Sequence, residues 1–423
     1  MQKLQRFKLT GGHKLSGEIV SQGAKNAVLP ILAAAVLIDG EAVIDDVPEL
    51  SDTYSAVRIL SHLGVKVNYC KSGKTASVNA SQISSHEIPD DMMKEMRSSI
   101  FFLGPIIGRT GSCRLSYPGG CDIGLRPIDM HISALEQMGV KVTHTHEHLY
   151  FSADKGLRGA KIALRFPSVG TTENIICAAV TAKGETVITN AAREPEVVDL
   201  VKFLNTAGAK IKFESGGRII IDGVSKLHGL HHTVMPDRIA AATILAGTAA
   251  AGGLVTVKNC QPLDMEAILP LFEAMGSSIY QGKDFITINS GKRPKALPEK
   301  LTTMVYPGFP TDAQSVIMGA LCKASGTSII EETIFENRYR HVPEMQKMGA
   351  DIVVSGQTAV IKGVKRLHGA KVKATDLRGG AGMVIAGLTA EGITEIEDIR
   401  FIDRGYEQLE LIFSSLGADI KRI

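Results

Sequence analysis

An internal repeat constrains the fold of this 423-residue chain more than any other feature of its sequence. Six copies of a short phrase occur, each an amphipathic stretch that ends in a glycine and a strand-like segment: LSHLGVKV, LEQMGVKV, LNTAGAKI, FEAMGSSI, MQKMGADI and FSSLGADI. Their glycines are 68 to 75 residues apart, at Gly64, Gly139, Gly208, Gly276, Gly349 and Gly417. A period of about 70 residues is too long for a thin solenoid, so each copy predicts a unit with its own share of a globular core.

Each copy predicts the same order of secondary structure. In the last copy Leu409, Phe413 and Leu416 share one face of a helix, and the glycine that follows suits a left-handed C-cap. An apolar, Ala-rich helical run stands earlier in each unit, and segments such as AKIKFESGGRIIIDG predict a strand, a glycine turn and a second strand. The predicted unit is β-α-β-α-β-β, which places the chain in the α/β class.

Six units in a chain of this length predict two domains of three units each. The segment LHGLHHTVMP interrupts the pattern, so we predict a first domain over residues 23–232 and a second domain that combines 1–22 with 233–423. The first would carry the loop around Cys121, and the second Asp312, Arg378 and Arg404. The strand-like first twenty residues are expected to complete the last unit of the second domain.

Composition excludes several classes of protein. Aromatic residues make up 5%, Trp is absent and the net charge is +3, which argues against base-stacking or basic nucleic-acid surfaces. The chain has no apolar signal segment at its start, and its longest uncharged stretch, residues 239–257, is too rich in Ala and Gly to predict a membrane span. The six cysteines show no metal-ligand spacing, and P-loop, GxGxxG and HExxH motifs are absent. We therefore expect a cytoplasmic protein with reduced thiols, no metal and no cofactor; its oligomeric state stays open.

Polar residues recur where the Ala-rich helix of each unit begins. They are Lys25 with Asn26, Arg97, Ser168 with Gly170, Asp237 with Arg238, Asp312, and Arg378. Helix N-termini present unpaired N–H groups and the positive end of the dipole, which suit phosphate or carboxylate. Ser168 and Asp237 fit a plain N-cap equally well. The three cations oppose the dipole, which predicts an anionic ligand, with a structural ion pair as the alternative.

The segment PGGCDIGLRP, residues 118–127, is a second candidate. Three glycines between two prolines predict a mobile loop that could act as a lid. Cys121 has no apolar neighbours in it, whereas Cys177 and Cys322 are predicted in the core. It is a candidate reactive thiol, although an exposed cysteine without a function fits equally well. Asp122 disfavours the thiolate, so a proton donor is the better prediction.

Two weaker signals concern Arg404 and the histidines. Arg404 in FIDRGYE is predicted to open the last amphipathic helix, against its dipole. His131 and the group His144, His146 and His148 have no general-base partner in the sequence, and we predict solvated strand histidines.

Eight motifs in order resemble those of the UDP-N-acetylglucosamine enolpyruvyl transferase family: GAKNAVLPILAAAVL, PGGCDIGLRPIDMHISALEQMG, FPSVGTTENI, AAREPEVVDL, YPGFPTDAQ, FENRYRHVPEMQKMGA, DLRGGAGMVIAGL and IDRGYEQ. The resemblance covers the whole chain and implies two pseudo-threefold inside-out α/β barrel domains built from six β-α-β-α-β-β repeats. It implies transfer of the enolpyruvyl group of phosphoenolpyruvate to the 3′-hydroxyl of UDP-N-acetylglucosamine with release of phosphate, the first committed step of peptidoglycan synthesis, and sensitivity to fosfomycin. The sister family that makes enolpyruvyl-shikimate phosphate lacks the Cys loop and YPGFPTD.

The resemblance also implies roles for single residues. Cys121 would donate a proton to the methylene carbon of phosphoenolpyruvate, and Asp312 would accept the proton of the sugar hydroxyl; Lys25 and Arg404 would also be catalytic. Phosphoenolpyruvate would be held by Lys25, Asn26, Arg126, Arg378 and Arg404. The UDP-sugar would be held by Asn26, Arg97, Arg126, Pro127, Ile128, Asp129, Met130, Phe166, Pro167, Ser168, Val169, Gly170, Asp312 and Ile334. No metal, nucleic acid or membrane would take part.

Three other readings compete with this one. A related enolpyruvyl transferase could act on a different acceptor hydroxyl. A non-catalytic duplicate or an RNA-binding scaffold could be built from the same repeat, although the near-neutral charge argues against RNA.

Overall fold

The computed structural model describes residues 5–117, 128–291 and 293–423, and of Arg97 only the backbone. Its strands are β1 (Phe7–Thr10), β2 (Leu15–Val20), β3 (Ile38–Asp45), β4 (Lys66–Cys70), β5 (Thr75–Asn79), β6 (Glu87–Ile88), β7 (Ser112–Ser116), β8 (Lys141–His144), β9 (His148–Ser152), β10 (Lys161–Ala163), β11 (Glu185–Thr189), β12 (Lys210–Glu214), β13 (Arg218–Asp222), β14 (Leu227–Thr233), β15 (Gly253–Lys258), β16 (Ser278–Gln281), β17 (Phe285–Ser290), β18 (Leu301–Thr302), β19 (Thr327–Glu331), β20 (Asp351–Ser355), β21 (Thr358–Lys362), β22 (Lys371–Lys373), β23 (Ile393–Glu397) and β24 (Asp419–Arg422).

The α-helices are α1 (Lys25–Ala34), α2 (Ser51–His62), α3 (Asp90–Glu95), α4 (Leu103–Thr110), α5 (Asp129–Gln137), α6 (Val169–Ala179), α7 (Pro195–Thr206), α8 (Arg238–Ala251), α9 (Leu269–Ala274), α10 (Thr311–Leu321), α11 (Val342–Lys347), α12 (Leu377–Gly387) and α13 (Leu409–Ser415). Short 3₁₀ helices cover Ala35–Leu37, Arg97–Phe102, Pro262–Met265 and Ile399–Arg404. No described helix combines the length and the apolar character that a membrane span requires.

Contacts divide the described residues into two compact units. The first unit comprises residues 23–117 and 128–235, and the second comprises 5–22, 236–291 and 293–423. The division after Met235 lies three residues beyond the predicted position, because β14 runs to Thr233 and pairs with β3 inside the first unit.

Four-stranded sheets repeat through both units with one connectivity. In the first unit the strand orders are β14-β3-β5-β4, β6-β7-β9-β8 and β10-β11-β13-β12, and in the second they are β16-β17-β15-β2, β18-β19-β21-β20 and β22-β23-β1-β24. The run β10, α6, β11, α7, β12 and β13 shows the unit in full, with β10 parallel to β11 and β12 paired with β13 as an antiparallel hairpin. The predicted β-α-β-α-β-β unit is confirmed.

The first residues of the chain complete two different repeats. Strand β1 pairs with both β23 and β24, so it completes the last sheet as predicted. Strand β2 pairs instead with β15, the strand that follows α8. Two strands near the chain start thus belong to the second unit.

The core of the second unit contains helices that are buried on almost all sides. Every residue of α8 from Arg238 to Ala250 is buried, and α10 and α12 are buried from their third and second residues onward. Strands such as β21 alternate buried and exposed residues, so their sheets cover the core with one face. The chain is therefore a two-domain inside-out α/β fold.

Glycines fix the geometry at two kinds of position. All six repeat glycines have φ between +85° and +100°, which confirms the predicted left-handed C-caps. In the second unit Gly382 on α12 faces α10: a Cβ at this position would lie 2.4 Å from the backbone oxygen of Ser315. The two central helices pack this closely only because residue 382 has no side chain.

Candidate functional site

The first predicted cation, Lys25, begins α1 and is almost fully buried. Its Nζ lies 2.8 Å from a carboxylate oxygen of Asp52 in the first turn of α2. An ion pair therefore offsets the unfavourable position of Lys25 at a helix N-terminus. Asn26, the next residue, is exposed.

The start of α6 presents the backbone of the segment predicted to bind the UDP-sugar. Ser168 is its N-cap and accepts a hydrogen bond from the N–H of Thr171, so the N-cap reading is correct for this residue. Phe166 just before it is 40% exposed. The first-turn N–H groups of a helix have no intrahelical acceptor, and they suit an anion.

A second predicted UDP-sugar segment lies beside this one. Ile128 precedes α5, and Asp129 and Met130 are its first residues. Asp129 accepts a hydrogen bond from Arg165, the residue before Phe166. This ion pair brings segments 128–130 and 166–170 together.

His131 departs from the prediction of a solvated strand histidine. It lies on α5 and is buried, because α5 packs this face against α6, where Asn174 lies 3.0 Å from its Nδ1. Burial lowers the pKa of His131 to about 4, although the charge of Asp129 acts in the opposite direction. His144 is exposed on β8, and His148 on β9 lies 3.1 Å from Asp90.

Several predicted residues lie outside the described part of the chain. They are Cys121, Asp122, Arg126 and Pro127, together with the rest of the predicted loop. The backbone of Arg97 begins a 3₁₀ helix that leads into α4, where an α-helix was predicted. Cys177 and Cys322 are buried as predicted, and burial raises the pKa of the Cys322 thiol to about 12.

A carboxylate held between two guanidinium groups is the central feature of the second unit. Asp312 is the second residue of α10, and its Oδ1 accepts a hydrogen bond from Arg338 at 2.9 Å. Its Oδ2 accepts one from Arg378 at 3.1 Å. Both arginine side chains are at most 3% exposed, whereas that of Asp312 is 27% exposed. Asp312 is thus the part of this triad that a ligand can reach.

Arg378 has hydrogen-bonding capacity beyond this pair. It is the second residue of α12, whose N-cap is Asp376. Its guanidinium carbon lies 5.3 Å from the ring centre of Tyr406. Burial acts to lower the pKa of Arg378, but Tyr406, Asp312 and Asp237 act the other way and raise it overall. Among the described residues, none accepts a hydrogen bond from its buried Nε or Nη1, so both donors could serve an anion.

The loop that carries Ile334 is tied to the same helix start. Glu332 is 1% exposed, and its Oε1 accepts hydrogen bonds from the N–H groups of Ile334 and Phe335, at 2.9 Å and 3.1 Å. Its Oε2 accepts one from the Thr311 hydroxyl at 2.9 Å. Glu332 therefore fixes Ile334 relative to the first turn of α10.

Arg404 ends a 3₁₀ helix, and α13 begins only at Leu409. The prediction that Arg404 opens the last helix is therefore wrong, because residues 405–408 form a turn that separates the two helices. At a helix C-terminus a cation agrees with the dipole. Two residues further on, the ring of Tyr406 faces Arg378.

Asp237 has the role of an N-cap for α8, since its Oδ1 accepts hydrogen bonds from the N–H groups of Ile239 and Ala240, both at 2.9 Å. The guanidinium of Arg238, the first residue of α8, lies 5.6 Å from the ring centre of Tyr306. Within residues 5–117, 128–291 and 293–423, no group of three His, Cys, Asp or Glu side chains could hold a metal ion.

Sequence reasoning missed the partners that complete these groups. Asp52, Arg338 and Glu332 were not among the predicted site residues, nor was Asn174. Arg338 stands in the quoted FENRYRHVPEM motif, and its charge was the available signal. Its pairing with Asp312 joins residues 26 positions apart and has no local pattern.

Comparison with known proteins identifies the family. The family model of EPSP synthase (3-phosphoshikimate 1-carboxyvinyltransferase) matches residues 9–412. The chain is 47% identical over 418 residues to UDP-N-acetylglucosamine 1-carboxyvinyltransferase 2 of Caldanaerobacter subterraneus subsp. tengcongensis, covering 99% of both. It belongs to the UDP-N-acetylglucosamine 1-carboxyvinyltransferase family. Another member, UDP-N-acetylglucosamine 1-carboxyvinyltransferase 1 of Symbiobacterium thermophilum, is 48% identical over 422 residues, covering 99% of this chain and 95% of the relative.

Solved structures of wider relatives share the fold of this family member. The enolpyruvyl transferase NikO from Streptomyces tendae matches with a TM-score of 0.89 at 23% identity, over 99% of each chain. EPSP synthase from Acinetobacter baumannii matches with a TM-score of 0.76 at 17% identity, over 99% of this chain and 100% of the other. At these identities the likeness concerns the inside-out α/β fold alone, and it agrees with the fold predicted from the repeats.

Proposed function

We propose that this chain transfers the enolpyruvyl group of phosphoenolpyruvate to the 3′-hydroxyl of UDP-N-acetylglucosamine and releases phosphate. The observation that carries the proposal is the accessible Asp312 carboxylate, set between two buried arginines, in a chain 44–48% identical over nearly its full length to proteins of that name. The reaction is the first committed step of peptidoglycan synthesis, and a cytoplasmic location follows from its substrates.

Asp312 is assigned the role of general base. The guanidinium groups of Arg338 and Arg378 favour its ionised form, which is the form that can accept a proton. When the sugar hydroxyl loses its proton to Asp312, its oxygen forms a bond to C2 of phosphoenolpyruvate. C3 takes up a proton, which we assign to Cys121. Loss of phosphate from C2 and of a proton from C3 then restores the double bond.

Cations are assigned to the phosphate and carboxylate of phosphoenolpyruvate. Arg378 supports this with the Nε and Nη1 donors described above, which a carboxylate or phosphate would satisfy. Lys25, Arg126 and Arg404 complete the set, with Asn26 beside Lys25. Fixed charges of this kind stabilise the charge that develops as phosphate departs.

The UDP-sugar is assigned to segments of the first unit. The diphosphate would bind the start of α6, where Ser168, Val169 and Gly170 supply a helix N-terminus. The ion pair between Arg165 and Asp129 supports a joint role for residues 128–130 and 166–170. Arg97, Arg126 and Pro127 belong to the same set, as do Phe166 and Pro167.

Phosphate release tests the proposal. Wild type is mixed with phosphoenolpyruvate and either UDP-N-acetylglucosamine or 3-phosphoshikimate, and we expect one phosphate per UDP-sugar and none with the other acceptor. Asp312→Asn should lose about 10²- to 10⁴-fold in kcat and keep UDP-sugar binding within about tenfold, because it removes the base and keeps the shape.

Asp39→Asn is the matched control, since Asp39 is also ion-paired, with Lys226 at 2.6 Å, and is comparably exposed at 35%. Its kcat should stay within about twofold. Release of phosphate with 3-phosphoshikimate instead would overturn the choice of acceptor, and normal turnover in Asp312→Asn would overturn the assignment of the base.

A further inference from the structure

A buried amide in the first unit joins segments to which the proposed function assigns the UDP-sugar. Asn174 on α6 is 1% exposed. Its Oδ1 accepts a hydrogen bond from the N–H of Gly104 at 2.6 Å, and its Nδ2 donates to the carbonyl of Ile100 at 2.9 Å. Its Nδ2 also lies 3.0 Å from Nδ1 of His131 and 3.3 Å from the carbonyl oxygen of Gly170, a longer contact within α6 itself. Asn174 therefore links α6 to the 3₁₀ helix that begins at Arg97 and to α5.

These partners fix the orientation of the amide. The N–H of Gly104 can only donate, so the atom facing it is the amide oxygen. The carbonyl of Ile100 can only accept, so the atom facing it is the amide nitrogen. The same nitrogen faces His131, and it has no lone pair to offer. Nδ1 of His131 must therefore accept, which places the imidazole proton on Nε2.

The other edge of the ring lies against the start of α6. A Cβ placed on Gly170 would be 3.6 Å from Cε1 of His131 and 3.9 Å from Nε2. His131 is 8% exposed, and its one hydrogen-bond contact to a described residue is made by Nδ1, not by Nε2. Burial lowers the pKa of His131 to about 4, so the ring is neutral at neutral pH and keeps one N–H.

We propose that Asn174 is a positioning residue for the UDP-sugar: it holds His131 in the tautomer that presents Nε2–H at the start of α6. This inference rests on the proposed function, which places the diphosphate there. Phosphate oxygens at neutral pH act mainly as acceptors, so the donor tautomer attracts them. The opposite tautomer would present a lone pair to the same oxygens and repel them.

The tautomer is measured without substrate. The ¹⁵N chemical shifts of the His131 ring, assigned with a His131→Gln variant, distinguish a protonated from an unprotonated nitrogen. In wild type at neutral pH we expect protonated Nε2 and unprotonated Nδ1. In Asn174→Asp a carboxylate replaces the donor, and Nδ1 should become protonated. A protonated Nδ1 in wild type would overturn the proposal.

Binding of UDP-N-acetylglucosamine is then measured by calorimetry in Asn174→Ala, His131→Ala and the double variant. Each single change should weaken binding about tenfold, as expected for the loss of one hydrogen bond to a charged group. The double change should weaken it no further, because Asn174 acts through His131. The KM for phosphoenolpyruvate and the kcat at saturating UDP-sugar should stay within about threefold of wild type.

Thr172→Val is the matched control on the same helix, since the buried Thr172 hydroxyl accepts a hydrogen bond from the N–H of Ala192 at 3.0 Å. It removes one buried bond and should leave UDP-sugar affinity within about twofold. Multiplicative losses in the double variant, or an equal loss in Thr172→Val, would overturn the role of Asn174. A wild-type chain that does not bind UDP-N-acetylglucosamine would overturn the proposed function itself, and with it this role, whatever the tautomer.

Discussion

Replacing Glu173 by glutamine is expected to stabilise the chain, and the gain is expected to grow with pH. Glu173 lies on α6, is 1% exposed, and neither carboxyl oxygen has a hydrogen-bond partner among the described residues. Burial raises the pKa of Glu173 well above its ordinary value of 4.5, and the neighbouring Glu196 and Glu194 raise it further. The folded chain therefore retains a proton that the unfolded chain releases.

The size of the effect follows from proton linkage. Above about pH 4.5 the unfolded state binds fewer protons than the folded state at this residue, so the free energy of unfolding falls as pH rises. The slope is about 1.4 kcal/mol per pH unit until pH reaches the folded-state pKa. Glutamine has the same shape and does not ionise. The stability difference between Glu173→Gln and wild type should therefore grow between about pH 5.5 and about pH 7.5, by about 1.4 kcal/mol for each pH unit that lies below the folded-state pKa.

Urea denaturation of the full chain at both pH values measures this difference. Glu185→Gln is the control, since Glu185 on β11 is exposed, and its difference from wild type should not change with pH. A gap between wild type and Glu173→Gln that is the same at both pH values would refute the reasoning, because it would mean that Glu173 is ionised in the folded chain.

Three further predictions concern the thiol, the helix packing and one surface arginine. Fosfomycin should inactivate wild type, faster with UDP-sugar bound, and should not inactivate Cys121→Asp, which should retain activity with a more acidic pH optimum. Cys70→Ser should be inactivated like wild type, although hydrogen bonds lower the pKa of the exposed Cys70 thiol. Mass spectrometry of the inactivated protein locates the adduct. Gly382→Ala should lower the free energy of unfolding, measured by urea denaturation, by about 1–3 kcal/mol, because the new Cβ would meet a backbone oxygen of α10. Gly291→Ala is the control and should leave it nearly unchanged, since a Cβ there has open space around it. Arg293→Ala should lower the free energy of unfolding by about 2 kcal/mol, since its guanidinium donates to carbonyls after α10 and β21, and Arg293→Lys should restore only part of it.

The repeating part of the fold was predictable because its signals are local. A glycine that ends an amphipathic helix adopts positive φ whatever surrounds it, and Gly64 and Gly417 do so at opposite ends of the chain. The pairing of β1 with β24 was also expected, since a six-unit chain leaves one sheet incomplete. The pairing of β2 with β15 was not expected, because the sequence of a single strand does not determine which of several equivalent sheet edges it pairs with.

The candidate site was predictable only as a set of helix starts. Lys25, Asp312 and Arg378 stand where local pattern placed them, at the first or second residue of their helices. Their partners depend on tertiary contacts: Asp52 and Arg338 come from other helices or loops and share no spacing rule with them. The prediction that His131 is solvated was wrong for the same reason, since the sequence around it contains no local pattern that indicates its burial by α6.

The ion pairs at these helix starts do not replace a ligand as the explanation for the cations. A buried ion pair contributes little to stability, because the cost of removing both charges from water is about as large as their attraction. In the pair of Arg378 with Asp312, one nitrogen of the guanidinium engages the carboxylate, and two others remain buried with no acceptor among the described residues. A purely structural pair would satisfy those donors, since unsatisfied buried donors cost about 1–3 kcal/mol each. The pair therefore holds the arginine in place against the helix dipole and leaves two donors over, so an ion pair and the proposed anion site are compatible explanations for the same residue.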